Sequence, residues 1–396
     1  MPLNELSVAL VGIGGFGQTY LRALLPNGGV EGVRFIAAAD SAAERCEMLP
    51  EVQEAGVPIF PSLEALLEKS KPDLMVLSTP PQVHAQQVIA SVQRGCHVLV
   101  EKPAACDPQQ VREMIAARDK ANKQVAVGYQ WSFSPAILKL KSDVMSGRFG
   151  KPKKLRTSVY WPRNEAYYSR NDWAGRQRDS QGLLVLDSPV NNACSHFLHN
   201  MFFVLGPVRD RSDEPVTVQA ELYRANKIDN YDTAAIRCIT RSGAELLFYT
   251  SHATHTSQEP LIHYEFEKAV VRYVGQDGNE LIATMADGTT IRYGHPLEAI
   301  SSQKLQDVCN SIRAGTPVAC GLEAASPQNI CMFASQESTP QIVEFPRELI
   351  VIEGEPGSRM TYVPELESGL NRCYERAKLP SELSLSWAKP GKLIRI

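Results

Sequence analysis

Leu6-Ser7-Val8-Ala9-Leu10-Val11-Gly12-Ile13-Gly14-Gly15-Phe16-Gly17 is an apolar run that breaks into a cluster of glycines. An apolar run of this length reads as a buried strand, and the pattern after it (Tyr20, Leu21, Leu24, Leu25) reads as a helix over Gln18 to Leu25. A strand turning abruptly into a helix needs one glycine for the turn, a second so that backbone can approach a pyrophosphate, and a third for close helix–strand packing. Phosphates then rest on the unpaired N–H groups and positive end of the helix. A second apolar run, Val33 to Ala39, ends in Asp40. A carboxylate about 20 residues past the glycines is placed to accept from the 2′-hydroxyl of an adenosine ribose. Gly12, Gly14, Gly15, Phe16, Gly17 and Asp40 are therefore expected to bind a dinucleotide. Ser41, Ala42 and Ala43 offer no cation for a 2′-phosphate before Arg45, so the expectation is NAD in preference to NADP.

Short apolar runs continue at Leu74 to Ser78, His97 to Val100 and Val125 to Gly128. Helical patterns fall between them at Ala42 to Glu54, Leu63 to Lys69, Ala85 to Arg94 and Pro108 to Asn122. This alternation predicts an α/β, doubly wound Rossmann domain over residues 1–128. Beyond it the pattern becomes alternating: Lys154 to Tyr160, Val216 to Tyr223, Thr233 to Thr240, Ala244 to Ser251, Ile262 to Phe266, Val270 to Val274 and Thr289 to Tyr293. Helical stretches interrupt it near Pro135 to Met145, His196 to Leu205 and Leu297 to Ala314. We read residues 129–345 as an α+β domain with a largely antiparallel open sheet, one face of it wet. Residues 346–396, with several prolines and a short helical pattern near Leu366 to Ala377, form a tail that the pattern does not place.

The 396 residues are 43% hydrophobic and 21% charged, as in ordinary globular proteins. The 41 basic and 44 acidic side chains give a formal net charge of -3, which excludes bulk electrostatic attraction to nucleic acid or to an anionic membrane. Nine scattered cysteines form no CxxC pair and no disulfide framework, which suits a reducing compartment. No run approaches the length of a membrane span, and Asn4 and Glu5 stand where a signal peptide would carry basic residues. A cytoplasmic location is expected.

The second motif is Val98-Leu99-Val100-Glu101-Lys102-Pro103, a buried strand ending in an acid, a base and a proline. Open α/β sheets hold their ligands at this carboxyl edge. Together with the glycine cluster, Ser78-Thr79-Pro80-Pro81-Gln82-Val83-His84 and Val127-Gly128-Tyr129, it resembles the Gfo/Idh/MocA oxidoreductases, in that order and at family-like spacing. The resemblance covers the first 150 residues strongly and the remainder loosely. It implies sugar or cyclitol substrates and a frequently cis Lys-Pro bond. It makes Lys102 a catalytic residue that contacts the reacting hydroxyl, and Glu101 a cofactor-side or orienting residue. Ser78, Thr79, Pro80 and His84 become part of the cofactor site, and Tyr129 a substrate contact. It also implies a catalytic histidine, matched by His196 in Asn192-Ala193-Cys194-Ser195-His196-Phe197-Leu198-His199. The family pattern has aspartates at the positions of Asn192 and His199. Asparagine can orient a histidine but carries no compensating charge, and Asp187 is an alternative source of the acid.

Residues 160–178 interleave aromatic and basic side chains, and Trp161, Arg163, Tyr168, Trp173 and Arg176, with His199, are candidate substrate contacts. Aromatic faces stack on the C–H faces of sugars, and guanidinium forks bind paired oxygens. Glu165 and Asp172 within the loop weigh against base stacking by nucleic acid. The pairs His196/His199 and His252/His255 invite a metal reading, but no further ligand completes a set and hydride transfer needs none. The expected function is NAD-dependent hydride transfer between a secondary hydroxyl of a sugar or cyclitol and nicotinamide. The alternatives are a redox-neutral NAD-dependent glycosidase and a non-enzymatic dinucleotide-sensing regulator. An exposed face of the second-domain sheet would favour a homo-oligomer.

Overall fold

The computed structural model describes residues 5–26, 28–275, 280–296 and 300–396, and the side chains of all of these except 300 and 301. The chain divides into two compact units, Met1–Ser134 with Leu297–Ser326, and Pro135–Pro296 with Pro327–Ile396.

In the first unit, six parallel strands, β1 (Leu6–Val11), β2 (Val33–Ala39), β3 (Ile59–Phe60), β4 (Leu74–Leu77), β5 (His97–Val100) and β6 (Val125–Val127), form one sheet in the order β3-β2-β1-β4-β5-β6. This is the doubly wound arrangement expected from the sequence. Strand β4 is buried throughout because helices cover both faces, which is why its sequence is apolar without alternation. The strand order reverses between β1 and β4, so the loops after their carboxyl ends diverge and leave a crevice for ligands. The glycine turn follows β1, and Ser78 follows β4.

The boundary expected at residue 128 is corrected: the first unit also takes in the segment Leu297–Ser326. Val127 N donates to Cys320 O at 2.8 Å, and Ala126 forms an antiparallel bridge with Gly321. Arg118 holds Glu323 through two hydrogen bonds of 2.7 and 2.6 Å. The helix here is Ile300–Ala314, and the start expected at residue 297 lies outside the described residues.

The second unit is built on a mostly antiparallel sheet, as expected. Its strands are β7 (Pro152–Tyr160), β8 (Pro215–Arg224), β9 (Thr233–Thr240), β10 (Glu245–Ser251), β11 (Gln258–Phe266), β12 (Ala269–Val274), β13 (Leu281–Met285) and β14 (Thr290–Gly294). They lie in the order β14-β13-β12-β11-β7-β10-β9-β8, with β7 and β10 parallel. Two of the elements that escaped the sequence reading lie near this sheet in the chain. One is β13. The other is the helix Leu322–Ser338, which carries Pro327 and reads as a break.

The C-terminal tail belongs to this unit. Leu366, Leu370, Cys373 and Trp387 share one buried cluster with Tyr160, Tyr223, Leu247 and Tyr249 of the sheet. The helix Leu366–Arg376 ends with carbonyls that lack helical partners. Arg156 donates to Tyr374 O and Glu375 O at 2.9 and 3.0 Å, and the Tyr249 hydroxyl donates to Cys373 O at 3.1 Å. Arg237 grips Glu382 bidentately at 2.8 and 2.7 Å, and Ile394 pairs with Val218 on β8. The sheet face expected to stay open is thus covered across β7–β10 by the chain's own tail. That removes the stated reason for a homo-oligomer there.

Candidate active site

The first unit's candidates begin with the glycine turn. Gly12 has φ +83°, and a Cβ there would stand 2.4 Å from Ser78 O. A Cβ on Gly17 would stand 1.9 Å from Gly12 O, so neither position admits another residue. At Gly14 a Cβ would meet nothing within 4 Å. The protein itself does not require glycine at Gly14, whereas a pyrophosphate brought against the backbone does. Asp40 accepts from Ile13 N at 2.9 Å and Gly14 N at 3.4 Å through one oxygen, and from Ala42 N at 2.9 Å through the other. The carboxylate is thereby held on the glycine turn. Arg45 is exposed and faces Glu44 at 3.8 Å. Phe16, at the turn, is 47% exposed. These residues fit a dinucleotide.

The loop after β4 is tied down by its own backbone and by His84. Ser78 N donates to Val11 O at 2.8 Å, and Thr79 Oγ1 donates to Gln87 at 2.6 Å. Pro80 leads into a short turn, Pro81–Val83. His84, expected at the cofactor, is buried with its ring nitrogens each 2.8 Å from a carbonyl, Pro103 O and Thr79 O. It clamps the loop after β4 to the loop after β5. Burial lowers its pKa, against the raising effect of those carbonyls and Glu101.

Glu101 and Lys102 leave β5 in different environments. Glu101 is buried, and its Oε1 accepts from the Tyr20 hydroxyl at 2.6 Å and from Lys304 Nζ at 2.5 Å. A Cβ on Gly128 would lie 2.7 Å from that oxygen, so the glycine after β6 makes room for the carboxylate. Burial alone would raise the Glu101 pKa, but the charge and hydrogen bond of Lys304, with Tyr20 and Lys102, hold it below the ordinary value. Lys304 itself is almost wholly buried, with its ammonium 4.9 Å from the Tyr20 ring centre and 5.3 Å from that of Phe16. Glu101 is therefore an anchor between the β5 loop and the glycine helix. Lys102 follows it, half-buried, with its backbone N–H on Glu101 Oε2 at 3.2 Å and a cis bond to Pro103. Sequence reasoning missed Lys304, since nothing in its own helix points to Glu101. Tyr129 is buried in this unit at the end of β6.

The second unit carries the other candidates. Asn192 Nδ2 donates to Asp187 Oδ1 at 2.8 Å, and Asp187 Oδ2 also accepts from Gly175 N at 2.7 Å. His196 stands in the first turn of the helix Ser195–Val204, and its neighbour Phe197 meets Trp161 edge-on at 5.5 Å. Arg163 and Arg170 lie over the Tyr167 ring at 4.9 and 3.7 Å, and Arg170 also lies 5.1 Å from Trp173. The Tyr168 hydroxyl is 3.4 Å from His252 Nδ1. Arg176 is exposed, and its charge helps keep the Asp172 pKa low, after the hydrogen bond from Ser180. His199, expected among the substrate contacts, is fully buried and stacked on Phe203 at 5.6 Å. Burial and the nearby Lys141 lower its pKa to about 3. His255 rests on Tyr362 at 4.6 Å. Among the described residues no group of three or more His, Cys, Asp or Glu side chains could hold a metal, and no helix is long and apolar enough to cross a membrane.

The strand order, the glycine turn and the acid after β2 define an NAD-binding Rossmann domain. Residues 6–129 match the family model described as "Oxidoreductase family, NAD-binding Rossmann fold". Inositol 2-dehydrogenase 4 of Saccharopolyspora erythraea is 30% identical over 153 residues, 38% of this chain and 44% of that protein. D-glucoside 3-dehydrogenase of Escherichia coli is 28% identical over 119 residues, 30% of this chain and 34% of that protein. The chain thus spans less than half the length of these curated relatives. The WlbA dehydrogenase of Chromobacterium violaceum, solved with NADH and UDP-GlcNAcA, superimposes with a TM-score of 0.70 over 85% of this chain and 96% of its own. At 24% identity, that likeness concerns the fold.

Proposed function

We propose that the protein is an NAD-dependent dehydrogenase acting on a secondary hydroxyl of a sugar or cyclitol. The observation that carries the dinucleotide assignment is Gly14, whose side the fold leaves open beside a carboxylate already anchored on the same turn. Gly12, Gly14, Gly15, Phe16 and Gly17 would hold the pyrophosphate and Asp40 the adenosine ribose. NAD, when bound, supplies the hydride acceptor.

Lys102 donates a charge-assisted hydrogen bond to the reacting oxygen and stabilises the negative charge that develops there. His196 takes the hydroxyl proton, as the family resemblance implies. Asn192 positions that histidine, and its own amide is fixed by Asp187. Run in reverse, the same groups reduce a ketone. The sugar and cyclitol dehydrogenases among the relatives support the substrate class. The test is absorbance of NADH formed by the purified protein with a panel of monosaccharides, inositols and sugar acids. Cleavage of an aryl glycoside without net NADH would replace this reading with a redox-neutral glycosidase.

A further inference from the structure

Strands β7 and β10 run parallel with Tyr160 opposite Ser251, and their chains stay paired as they leave the sheet. Trp161 N donates to Ser251 O at 2.9 Å, and Arg163 N donates to His252 O at 3.0 Å. This brings Arg163 and His252 side by side at one end of the second unit. The Tyr167 ring lies 4.9 Å from the Arg163 guanidinium and 5.6 Å from the His252 ring.

The polar groups here are unevenly paired. Arg170 donates to Tyr167 O at 2.5 Å and lies 3.8 Å from Asp187 Oδ2, so that carboxylate is engaged, and the nearby Asp232 carboxylate accepts from Ala225 N and Asn226 N. Arg163 has no carboxylate within ion-pair distance among the described residues, and its Nε is buried without an acceptor. His252 is 2% exposed, and its Nε2 is likewise buried without a partner. A buried donor left without an acceptor is costly, more so when charged, and a ligand that satisfies it recovers that cost. The groups on offer are a guanidinium with no ion-pair partner among the described residues, an unpartnered ring nitrogen on His252 and flanking aromatic faces.

We infer that Arg163 is the docking point for a carboxylate on the substrate, so that the substrate is a sugar acid, with His252 hydrogen-bonding a neighbouring oxygen. The Nε side of a guanidinium binds a carboxylate bidentately, and one unpaired guanidinium matches a monoanion better than a phosphate dianion. Burial and the two arginines keep the His252 pKa well below its ordinary value, so this ring is neutral and presents one donor and one acceptor. The inference rests on the dehydrogenase reading for the sugar, but not for the carboxylate.

The test is calorimetric titration of the NAD-loaded protein with D-gluconate, D-glucuronate, D-glucose and D-glucose 6-phosphate, alongside NADH formation. At least one acid is expected to bind ten-fold or more tightly than glucose. Arg163→Gln is expected to abolish that preference while leaving NAD affinity unchanged, and Arg163→Lys to restore part of it. Equal binding of acid and neutral sugar, no binding of either acid, tighter binding of the phosphate, or a preference that survives Arg163→Gln would each overturn the inference. Turnover of neutral sugars alone would overturn it and leave the dehydrogenase reading standing. Tight acid binding without NADH formation would do the reverse.

Discussion

Replacing Lys304 by methionine removes the ammonium that neutralises Glu101 while keeping most of the side-chain volume. In the native protein the pair is 2.5 Å apart, with Lys304 1% and Glu101 10% exposed at the side chain. Breaking a buried pair from one side costs about 3–5 kcal/mol because it strands the other charge. The Tyr20 hydroxyl at 2.6 Å continues to donate to the carboxylate, which places the cost near the lower end, about 3 kcal/mol. For a domain of this size 1 kcal/mol moves Tm by roughly 2–4 °C, so the first unit is expected to melt about 6–12 °C lower. The pH dependence has a definite sign. With Lys304 present the Glu101 pKa is depressed, so the pair's contribution is present above the ordinary carboxylate range and lost as pH falls through the depressed value. Without Lys304, burial dominates and raises that pKa, so the deficit is largest at neutral pH and shrinks on acidification. Lys304→Met combined with Glu101→Gln should recover most of the loss at pH 7. Calorimetric melts of wild type, Lys304→Met, Glu101→Gln and the double variant between pH 5 and 8 decide it. A Lys304→Met protein that melts within about 1 °C of wild type, or a double variant less stable than the single, refutes the argument.

Other outcomes follow from the candidate residues of each unit. NAD should bind more tightly than NADP, because Asp40 repels a 2′-phosphate and Arg45 is turned to Glu44; tighter NADP binding would remove Asp40 from the ribose. Lys102→Met should lower kcat by about two or more orders of magnitude with NAD affinity nearly unchanged, and near wild-type turnover would leave Lys102 a structural residue. His196→Ala should abolish oxidation; a raised KM with kcat retained would instead make Lys102 the proton acceptor. Asn192→Asp would set a second carboxyl against Asp187, now 2.8 Å from the amide, and two carboxyls in contact share a proton. The acidic limb of the kcat/KM profile should therefore shift only where the pair is fully ionised, moving upward as the added charge favours imidazolium. An unshifted profile at every pH would detach Asn192 from His196.

The first domain was readable because its signals are local. The residues that make the glycine turn are contiguous, and parallel strands buried on both faces advertise themselves as apolar runs. Strand β3 was missed because two residues, Ile59 and Phe60, carry no period. Lys304 was unreadable for the opposite reason: its partner lies 203 residues away, and a single lysine on an amphipathic helix looks like a solvated one. The contact of Asn192 with Asp187 was within reach, since five residues separate them and the missing family acid called for a substitute. Placement of His199 was not, because helical spacing put it near the His196 face while packing on Phe203 took it into the interior. The tail's position depends on non-local pairs such as Arg237 with Glu382, which no window along the chain contains.

The return of the segment around Lys304 to the first unit also sets an order on synthesis. At about 5–20 residues per second, the ribosome needs roughly 10–40 s to travel the 203 residues from Glu101 to Lys304. Throughout that interval the nascent Rossmann sheet carries an acid whose cation has not been made, and β6 lacks the strand-like partner at Cys320 and Gly321. Protonation or hydration of Glu101 must substitute for the lysine until then, so the first domain to emerge waits for residues up to 326 before it reaches full stability. Stalled chains ending before and after residue 326 should show this directly, with protease resistance of the N-terminal segment rising only in the longer ones.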